Sequence, residues 1–195
     1  MDFSVSLPDW AKQELGKLPD RIETVEERMQ HVIRFSRLNF ERNTGGPFAA
    51  GVFEEETGKL AVIGVNRVVP ESCSSAHAEV VALSLAQTLL KTFDLGGPDQ
   101  PRHQLVVNWR PCAMCYGAVI WSGVRSLIIA GNSSELEEIT GFDEGPIHPQ
   151  WQAELEKRGV TLTDGLLKDE ACEVFRAFRD SGNLVYNGRQ GEKES

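Results

Sequence analysis

Four residues in two short stretches combine side chains that are suited to binding a metal ion and moving a proton. His77 and Glu79 are separated by one residue, and Cys112 and Cys115 are separated by two. One imidazole and two thiolates supply three ligands for a zinc ion and leave a fourth position open, whereas structural zinc sites use four protein ligands. Glu79 is then free to take a proton from a water at the open position. The pattern predicts a catalytic site with one zinc ion per subunit.

Each stretch on its own also has a simpler interpretation. Two cysteines separated by two residues form a redox dithiol in many proteins, and a lone His-x-Glu carries little information. A redox role would leave His77 and Glu79 unexplained, and Pro111 before the first cysteine is typical of a helix start. The two stretches together therefore favour a zinc site. His31 and His103 are predicted to have surface or packing roles, with His103 in a loop.

Both stretches are predicted to lie where a helix begins. The apolar pattern predicts helices over residues 76–93 and 111–121, the first of them capped by Ser74 or Ser75 and the second carrying its cysteines in the first turn. On a regular helix, residues two apart point roughly 200 degrees away from each other. His77 must therefore lie at the irregular start of its helix if it is to share a site with Glu79.

The rest of the chain alternates between strand-like and helix-like patterns. This alternation predicts an α/β fold with three αβα layers, in which a mixed five-stranded sheet has helices on both faces. We expect one domain over residues 1–195, with an N-terminal arm of about 1–23 and a C-terminal segment of about 181–195. The other predicted helices are 24–41, 135–139, 150–157 and 168–180, and the predicted strands are 48–53, 60–65, 105–108, 126–130 and 159–163.

Composition narrows the class of partner. The 195 residues carry a formal net charge of -9, which disfavours nucleic acid because phosphate binding relies on lysine and arginine. No apolar run is long enough to cross a membrane, and the start of the chain lacks the pattern of a secretory signal. Four unevenly spaced cysteines do not form a disulfide framework. We therefore expect a cytoplasmic protein with reduced thiols that acts on a small molecule.

The two stretches together match the His-x-Glu and Pro-Cys-x-x-Cys signature of zinc-dependent base deaminases. With their surroundings, the chain resembles the cytidine deaminase superfamily, and more closely its guanine deaminase branch. The similarity runs from about residue 24 to 187. The supporting segments are residues 45–50, 64–67, 76–79, 111–115, 117–121 and 141–144.

The resemblance implies a pocket for a purine base. Phe48 and the ring of His77 would sandwich the base, and Asn66 would hydrogen-bond to its edge. Ala78 and Trp121 would also line the pocket. These residues, together with the zinc ligands, form the predicted binding site.

The resemblance further implies a second proton carrier and a dimer. Glu144 matches the carboxylate that delivers a proton to the departing ammonia, with Asp143 as the fallback. The family forms homodimers with exchanged C-terminal segments, in which Tyr186 would close the pocket of the neighbouring subunit. Trp109 and Arg110 depart from the family, which usually has a small or aliphatic residue followed by Glu before the Pro-Cys motif. This departure affects the expected substrate preference.

The predicted function is zinc-dependent hydrolytic deamination of a free purine base, most specifically of guanine to xanthine and ammonia. Hydrolysis would take place at C2, with Glu79 and Glu144 moving the protons. The alternatives are a tRNA adenosine deaminase, a deaminase of cytosine or amino-triazines, and a zinc-binding module without catalysis. The acidic charge opposes the tRNA enzyme, and the presence of Glu79 opposes the non-catalytic module.

Overall fold

The structure, a computed structural model, describes residues 4–189, and these form seven helices and five strands. Within this part of the chain, none of the helices has the length and apolar character needed to span a membrane. The helices are α1 (Asp9–Leu15), α2 (Val25–Glu41), α3 (Ala78–Leu90), α4 (Ala113–Ser122), α5 (Glu135–Thr140), α6 (Trp151–Glu156) and α7 (Lys168–Asp180). The strands are β1 (Ala49–Glu54), β2 (Leu60–Val65), β3 (His103–Val107), β4 (Ser126–Ile129) and β5 (Thr161–Thr163).

The five strands form one mixed sheet in the order β2-β1-β3-β4-β5. Strand β1 runs antiparallel to both of its neighbours, whereas β3, β4 and β5 are parallel. Every residue of β3 is buried, as expected for a central strand that is covered on both faces. The edge strand β5 has only three residues, a length that limits pairing with another sheet. The predicted five-stranded mixed sheet is confirmed.

Two glycines in neighbouring strands show that helices cover both faces of the sheet. Gly64 pairs with Ala50, so Gly51, the next residue of β1, points to the opposite face. A Cβ atom at Gly64 would lie 2.6 Å from the backbone nitrogen of Ala82 in α3. A Cβ atom at Gly51 would lie 3.2 Å from the Cγ2 atom of Val32 in α2. Helices α2 and α3 therefore pack on opposite faces, which confirms the predicted three layers.

The remaining helices extend these two layers. Helix α2 packs against β1, β2 and β3 and also contacts α7, which in turn contacts α5. On the other face, α3 packs against β1 and β2 and contacts α4. A capping box at Thr24, as its spacing indicates, begins α2: the Glu27 backbone N–H donates to the Thr24 hydroxyl, and the Glu27 carboxylate accepts from the Thr24 backbone.

The predicted N-terminal arm contains a helix that sequence patterning missed. Helix α1 has seven residues and no side-chain cap, so it lacks the usual start signal. It is held by packing: the Trp10 ring lies 5.6 Å from that of Phe35, and the Trp10 indole N–H donates to Thr44 at 2.8 Å.

The loop prediction for His103 is also wrong. His103 begins β3, is 1% exposed, and has its Nδ1 2.7 Å from the Leu95 carbonyl oxygen.

We predict that Gly64→Ala lowers the free energy of unfolding by about 1–3 kcal/mol, the usual cost of overpacking. The added methyl group would meet the backbone of α3 at 2.6 to 2.9 Å, and a helix backbone cannot move aside as a side-chain end can. Urea denaturation of the two proteins measures the difference.

Gly16→Ala is the matched control, because its Cβ atom would meet only ordinary contacts at 3.6 Å and its φ of -66° suits any residue. Equal unfolding midpoints for Gly64→Ala and the wild-type protein would show that α3 does not press on β2 at this point.

Candidate active site

The starts of α3 and α4 carry the four residues singled out by the sequence. His77 precedes the first residue of α3 and Cys112 precedes the first residue of α4, each with extended backbone at ψ angles of 155° and 172°. His77 thus lies at the irregular helix start, as the shared site requires. Neither Ser74 nor Ser75 caps α3, and Pro111 lies before the cap of α4, so both helices begin slightly later than predicted. Cys115 lies in the first turn of α4.

The donor atoms of His77, Cys112 and Cys115 form a compact group. They all lie within 4.8 Å of one another, and the Sγ atom of Cys112 is 3.5 Å from Nδ1 of His77. Tetrahedral zinc with ordinary Zn–S and Zn–N bonds places such atoms about 3.6 Å apart. The donor chemistry and spacing therefore fit a zinc ion with three protein ligands.

The three donors shift one another's pKa values. The hydrogen bond from Cys115 lowers the pKa of the Cys112 thiol to about 4, and the same pair raises the pKa of Cys115 well above its ordinary value. Burial lowers the pKa of His77, whereas the hydrogen bond with Cys112 and the charge of Glu79 raise it. The two raising effects together exceed the effect of burial, so the pKa of His77 is higher than its ordinary value. Zinc binds thiolates and neutral imidazole, so metal uptake is expected to release protons from this group.

Glu79 stands next to this group without belonging to it. It lies in the first turn of α3, is 6% exposed, and is not one of the clustered donors. Burial, followed by the negative charge of Cys112, raises the pKa of the Glu79 carboxyl to about 7, although His77 partly opposes the rise. A carboxyl group with a pKa near neutrality can both accept and donate a proton under working conditions.

The acidic loop after α5 presents its two carboxylates differently. Asp143 is exposed, and its carboxylate accepts the backbone N–H of Gly145 at 2.8 Å in a local turn. Glu144 is 8% exposed, and burial together with the charges of Cys112 and Glu79 raises its pKa to about 8. Its carbonyl oxygen accepts from the backbone N–H of Ala113 at 3.0 Å, which ties the loop to the start of α4. The arrangement favours Glu144 over Asp143 as the second proton carrier.

A cavity of about 170 Å³ opens beside these groups. Asn66 in its wall is fully buried; its Oδ1 accepts from the backbone N–H of Val68 at 3.2 Å, but its Nδ2 has no hydrogen-bond partner within residues 4–189. Phe48 is held edge-on to Phe142 at 5.2 Å. The residues around the cavity are Phe48, Asn66, Val68, Ser74, His77, Glu79, Val107, Trp109, Arg110, Phe142, Asp143, Glu144, Tyr186, Asn187 and Gly188.

The C-terminal segment closes this cavity from within the same chain. The backbone N–H of Asp143 donates to Oδ1 of Asn187 at 2.9 Å, and the Asn187 amide donates to the Gly141 carbonyl at 2.8 Å. The Tyr186 ring lies 4.8 Å from that of Phe142. Residues 190–195 of the predicted C-terminal segment lie outside the described part of the chain.

Two residues of the predicted pocket are placed elsewhere. Trp121 is 86% exposed and does not border the cavity of its own chain. It lies six residues beyond Cys115, which on a helix means roughly 9 Å along the axis and a different face. Ala78, the first residue of α3, is fully buried, and its side chain is also absent from the cavity wall. The wall instead includes Trp109, Phe142 and Asn187, for which the sequence had predicted no binding role.

We predict that Cys112→Ser abolishes stoichiometric zinc binding and lowers the melting temperature, because a ligand and the stabilisation it gives the folded state are both lost. Glu79→Gln should keep its zinc, since the carboxylate is not a ligand. Metal analysis and thermal melts with and without a chelator test both statements.

Cys73→Ser is the control, because this partly exposed thiol stands outside the donor group. It should keep full zinc and the wild-type response to chelator. Loss of zinc from Glu79→Gln would contradict the division between ligands and proton carrier.

Comparison with known proteins identifies the family. Residues 22–131, more than half of the chain, match the family described as cytidine and deoxycytidylate deaminase zinc-binding region. Guanine deaminase of Bacillus subtilis (strain 168) is 30% identical over 139 residues, which cover 71% of this chain and 83% of that protein. The tRNA-specific adenosine deaminase of Buchnera aphidicola subsp. Schizaphis graminum (strain Sg) is 28% identical over 127 residues, covering 65% of this chain and 75% of that protein.

Solved structures give a fuller match. The structure of guanine deaminase from Nitrosomonas europaea aligns with a TM-score of 0.87 and 47% identity, covering 92% of this chain and 97% of that chain. Another structure, of a protein in complex with 2,6-diaminopurine, has the same TM-score and identity and covers 95% of this chain and 97% of that chain. The resemblance seen in the sequence and the zinc cofactor predicted from it are confirmed. The chain belongs to the zinc-binding cytidine and deoxycytidylate deaminase family.

Proposed function

We propose that this protein is a guanine deaminase, which hydrolyses guanine to xanthine and ammonia. The observation that carries the proposal is the small cavity bordered by Glu79, by the zinc donor His77 and by Asn66, whose Nδ2 has no partner within residues 4–189. A cavity of roughly 150 Å³ holds one benzene ring, so about 170 Å³ suits a planar base better than a nucleoside. Similarity to two guanine deaminases, and to a protein whose structure was solved in complex with 2,6-diaminopurine, also supports a purine base as the substrate.

Substrate binding uses the walls of the cavity. The base stacks between Phe48 and the ring of His77, an arrangement that suits flat aromatic faces. The free Nδ2 group of Asn66 donates to an acceptor on the edge of the base. Tyr186 and Phe142 close the cavity and exclude bulk water, which strengthens the electrostatic interactions inside. The side of the base that carries the amino group at C2 faces Glu79.

The two buried carboxyl groups divide the proton transfers. His77, Cys112 and Cys115 would hold the zinc ion, which would supply the Lewis acidity that makes a water nucleophilic near neutral pH. Glu79 accepts a proton from that water and delivers it to a ring nitrogen of the base. A C–O bond forms at C2, and the C–N bond breaks as Glu144 protonates the departing amino group to give ammonia. The proton left on the new oxygen returns to Glu144, which leaves the oxo group of xanthine. Both roles suit carboxyl groups whose pKa values are raised to about 7 and about 8.

Deamination of tRNA adenosine is the second candidate, since a tRNA-specific adenosine deaminase is among the relatives. Its substrate requires basic surface and an open approach for a folded polynucleotide. The net charge of -9 and a cavity closed by Tyr186 and Asn187 oppose it. The buried carboxyl group of Glu79, with its raised pKa, opposes a zinc module without catalysis.

The protein acts as a cytoplasmic homodimer in this proposal, and helix α4 supports the dimer. Its ten residues include no charged side chain, yet only Cys115, Val119 and Ser122 are buried. Met114 and Trp121, seven residues apart on one face, are 40% and 86% exposed. An apolar helix of this kind is normally covered, and a second copy provides the cover. If residues 181–195 are exchanged between subunits, Tyr186 of each subunit would close the cavity of the other.

We predict that zinc-loaded wild-type protein releases ammonia from guanine and forms xanthine in equal amount. The comparison compounds are adenine, cytosine, cytidine, guanosine and amino-triazines. Glu79→Gln, with its zinc retained, should lower kcat by about 10²- to 10⁴-fold, because proton transfer by a positioned side chain contributes that much. Ammonia from a comparison compound but none from guanine would refute the proposed substrate.

Two neighbouring variants serve as matched controls in the same assay. Glu144→Gln should lose most activity while keeping zinc. Asp143→Asn should keep most activity, because the residue is exposed and asparagine can still accept the Gly145 backbone N–H. The reverse outcome would reassign the second proton carrier to Asp143.

We predict that Trp121→Glu converts a dimer into a monomer, because a buried unpaired charge at an apolar interface costs several kcal/mol. Sedimentation velocity at fixed protein concentration measures the change. Leu89→Glu is the control, since Leu89 is 62% exposed and lies beside Leu15 of α1 and Leu60 of β2. An unchanged dimer in Trp121→Glu would exclude the α4 face as the contact.

A further inference from the structure

Arg110 brings a positive charge into the cavity that neither the zinc site nor the two carboxylic acids require. It is the sole arginine or lysine among the described residues that border the cavity. The residue is 8% exposed, and its Nη1 atom is buried with no hydrogen-bond partner within residues 4–189. Buried arginines normally donate to carbonyl or carboxylate oxygens, as Arg28 does to the carbonyls of Ile22 and Glu23.

The backbone of Arg110 is held firmly by its neighbours. The Arg110 N–H donates to the Gly131 carbonyl at 2.8 Å. Trp109 is 1% exposed, its indole N–H donates to the Ser133 carbonyl at 3.3 Å, and its ring meets Phe175 edge-on at 5.3 Å. A Cβ atom at Gly131 would lie 2.6 Å from the Trp109 ring, so the indole packs directly on that backbone. Trp109 therefore fixes the point from which the Arg110 side chain reaches the cavity.

The nearest opposite charge does not satisfy Arg110. Its positive charge lowers the pKa of Glu144, but by less than burial and the charges of Cys112 and Glu79 raise it. Among the ion pairs of residues 4–189, none joins Arg110 to Glu144 or to another carboxylate. A buried guanidinium without an acceptor is costly. A ligand that brings an acceptor into the cavity offsets that cost.

Guanine carries a suitable acceptor away from its reacting group. The amino group that leaves is at C2, whereas the exocyclic oxygen is at C6, and arginine is the commonest specific partner of this oxygen in nucleic-acid recognition. The planar guanidinium donates in a fixed direction, so it distinguishes an oxo group from an amino group or a hydrogen. A purine with an amino group at that position would present hydrogen-bond donors to a cation that is itself only a donor.

Building on the proposed function, we infer that Arg110 is a specificity-determining residue whose guanidinium donates to the 6-oxo group of the base. Asn66 supplies the other donor, toward the ring edge. The departure from the usual glutamate before the Pro-Cys motif thus replaces an acceptor with a donor in the cavity wall. The inferred result is preference for 6-oxo over 6-amino or 6-unsubstituted 2-aminopurines.

Binding measured without turnover tests this inference. In zinc-loaded Glu79→Gln protein, 2-aminopurine fluorescence gives its own Kd, and competition gives the Kd of guanine. Both bases have the 2-amino group, but only guanine has the 6-oxo group. Adding Arg110→Met should weaken the binding of guanine roughly ten- to a hundredfold, the usual effect of losing a hydrogen bond to a charged group. The binding of 2-aminopurine should change by less than about threefold, because this base has no 6-oxo group to accept from Arg110.

Two further variants separate recognition from support of the fold. Arg110→Lys keeps the charge near Glu144 but not the planar fork, so it should restore only part of the guanine affinity. Arg28→Met removes a buried guanidinium that does not border the cavity, and the ratio of the two Kd values should stay unchanged. Zinc content is measured for each protein.

Each other result counts against Arg110. The inference is overturned if Arg110→Met weakens the binding of both bases equally or of neither. It is also overturned if both Arg110 variants lose zinc, or if guanine does not bind the parent Glu79→Gln protein. If wild-type protein does not deaminate guanine, the proposed function fails separately. The affinity ratio in the Glu79→Gln background still decides the role of Arg110, because it needs no turnover.

Discussion

The packing of α3 against α4 is the constraint on which the site depends. Both helices begin at the same end of the sheet, so the residues before their first turns are brought together. His77 and Cys112 gain their positions from extended backbone just before each helix, where a side chain is released from helical spacing. The approach of α3 to β2 is close enough to require Gly64. The positions of the metal-binding donors are therefore set by the packing of α3 and α4.

Burial around this constraint has opposite effects on different groups, and the site uses each of them. It raises the pKa values of Glu79 and Glu144 toward neutrality, which lets carboxyl groups exchange protons with a substrate. Within residues 4–189 it also leaves one donor nitrogen of Asn66 and one of Arg110 without a partner, which is unfavourable until an acceptor enters. A bound cation would reduce the influence of the Cys112 thiolate on both carboxyl groups, because it neutralises the nearest negative charge. Proton transfer and recognition thus share one physical origin.

The sequence predicted those parts of the site that depend on local spacing. The pair of motifs located the zinc donors, and apolar periodicity located the strands and most helices, because both patterns depend on neighbours within one or two turns. Trp121 does not border the cavity of its own chain, because its position relative to the cavity depends on the direction of α4 rather than on its motif. Helix α1 was missed because tertiary packing of Trp10, not a local start signal, holds it. The sequence showed the departure at Arg110, but only the fold shows that a buried nitrogen of this side chain lacks a partner within residues 4–189.

The cavity wall also explains why catalysis and the C-terminal part of the chain are connected. Phe142 touches both Phe48 and Tyr186, so the acidic loop, the strand β1 region and the C-terminal segment form one aromatic cluster. Asn187 then fixes the loop by bonding to the backbone on both sides of Phe142. Glu144 is two residues further along that loop, and its burial depends on this closure. Removal of the C-terminal segment would expose Glu144 to water and return its pKa toward that of an ordinary carboxyl group, because desolvation is the largest cause of its shift. The segment therefore sets the dielectric environment of Glu144 as well as bordering the cavity.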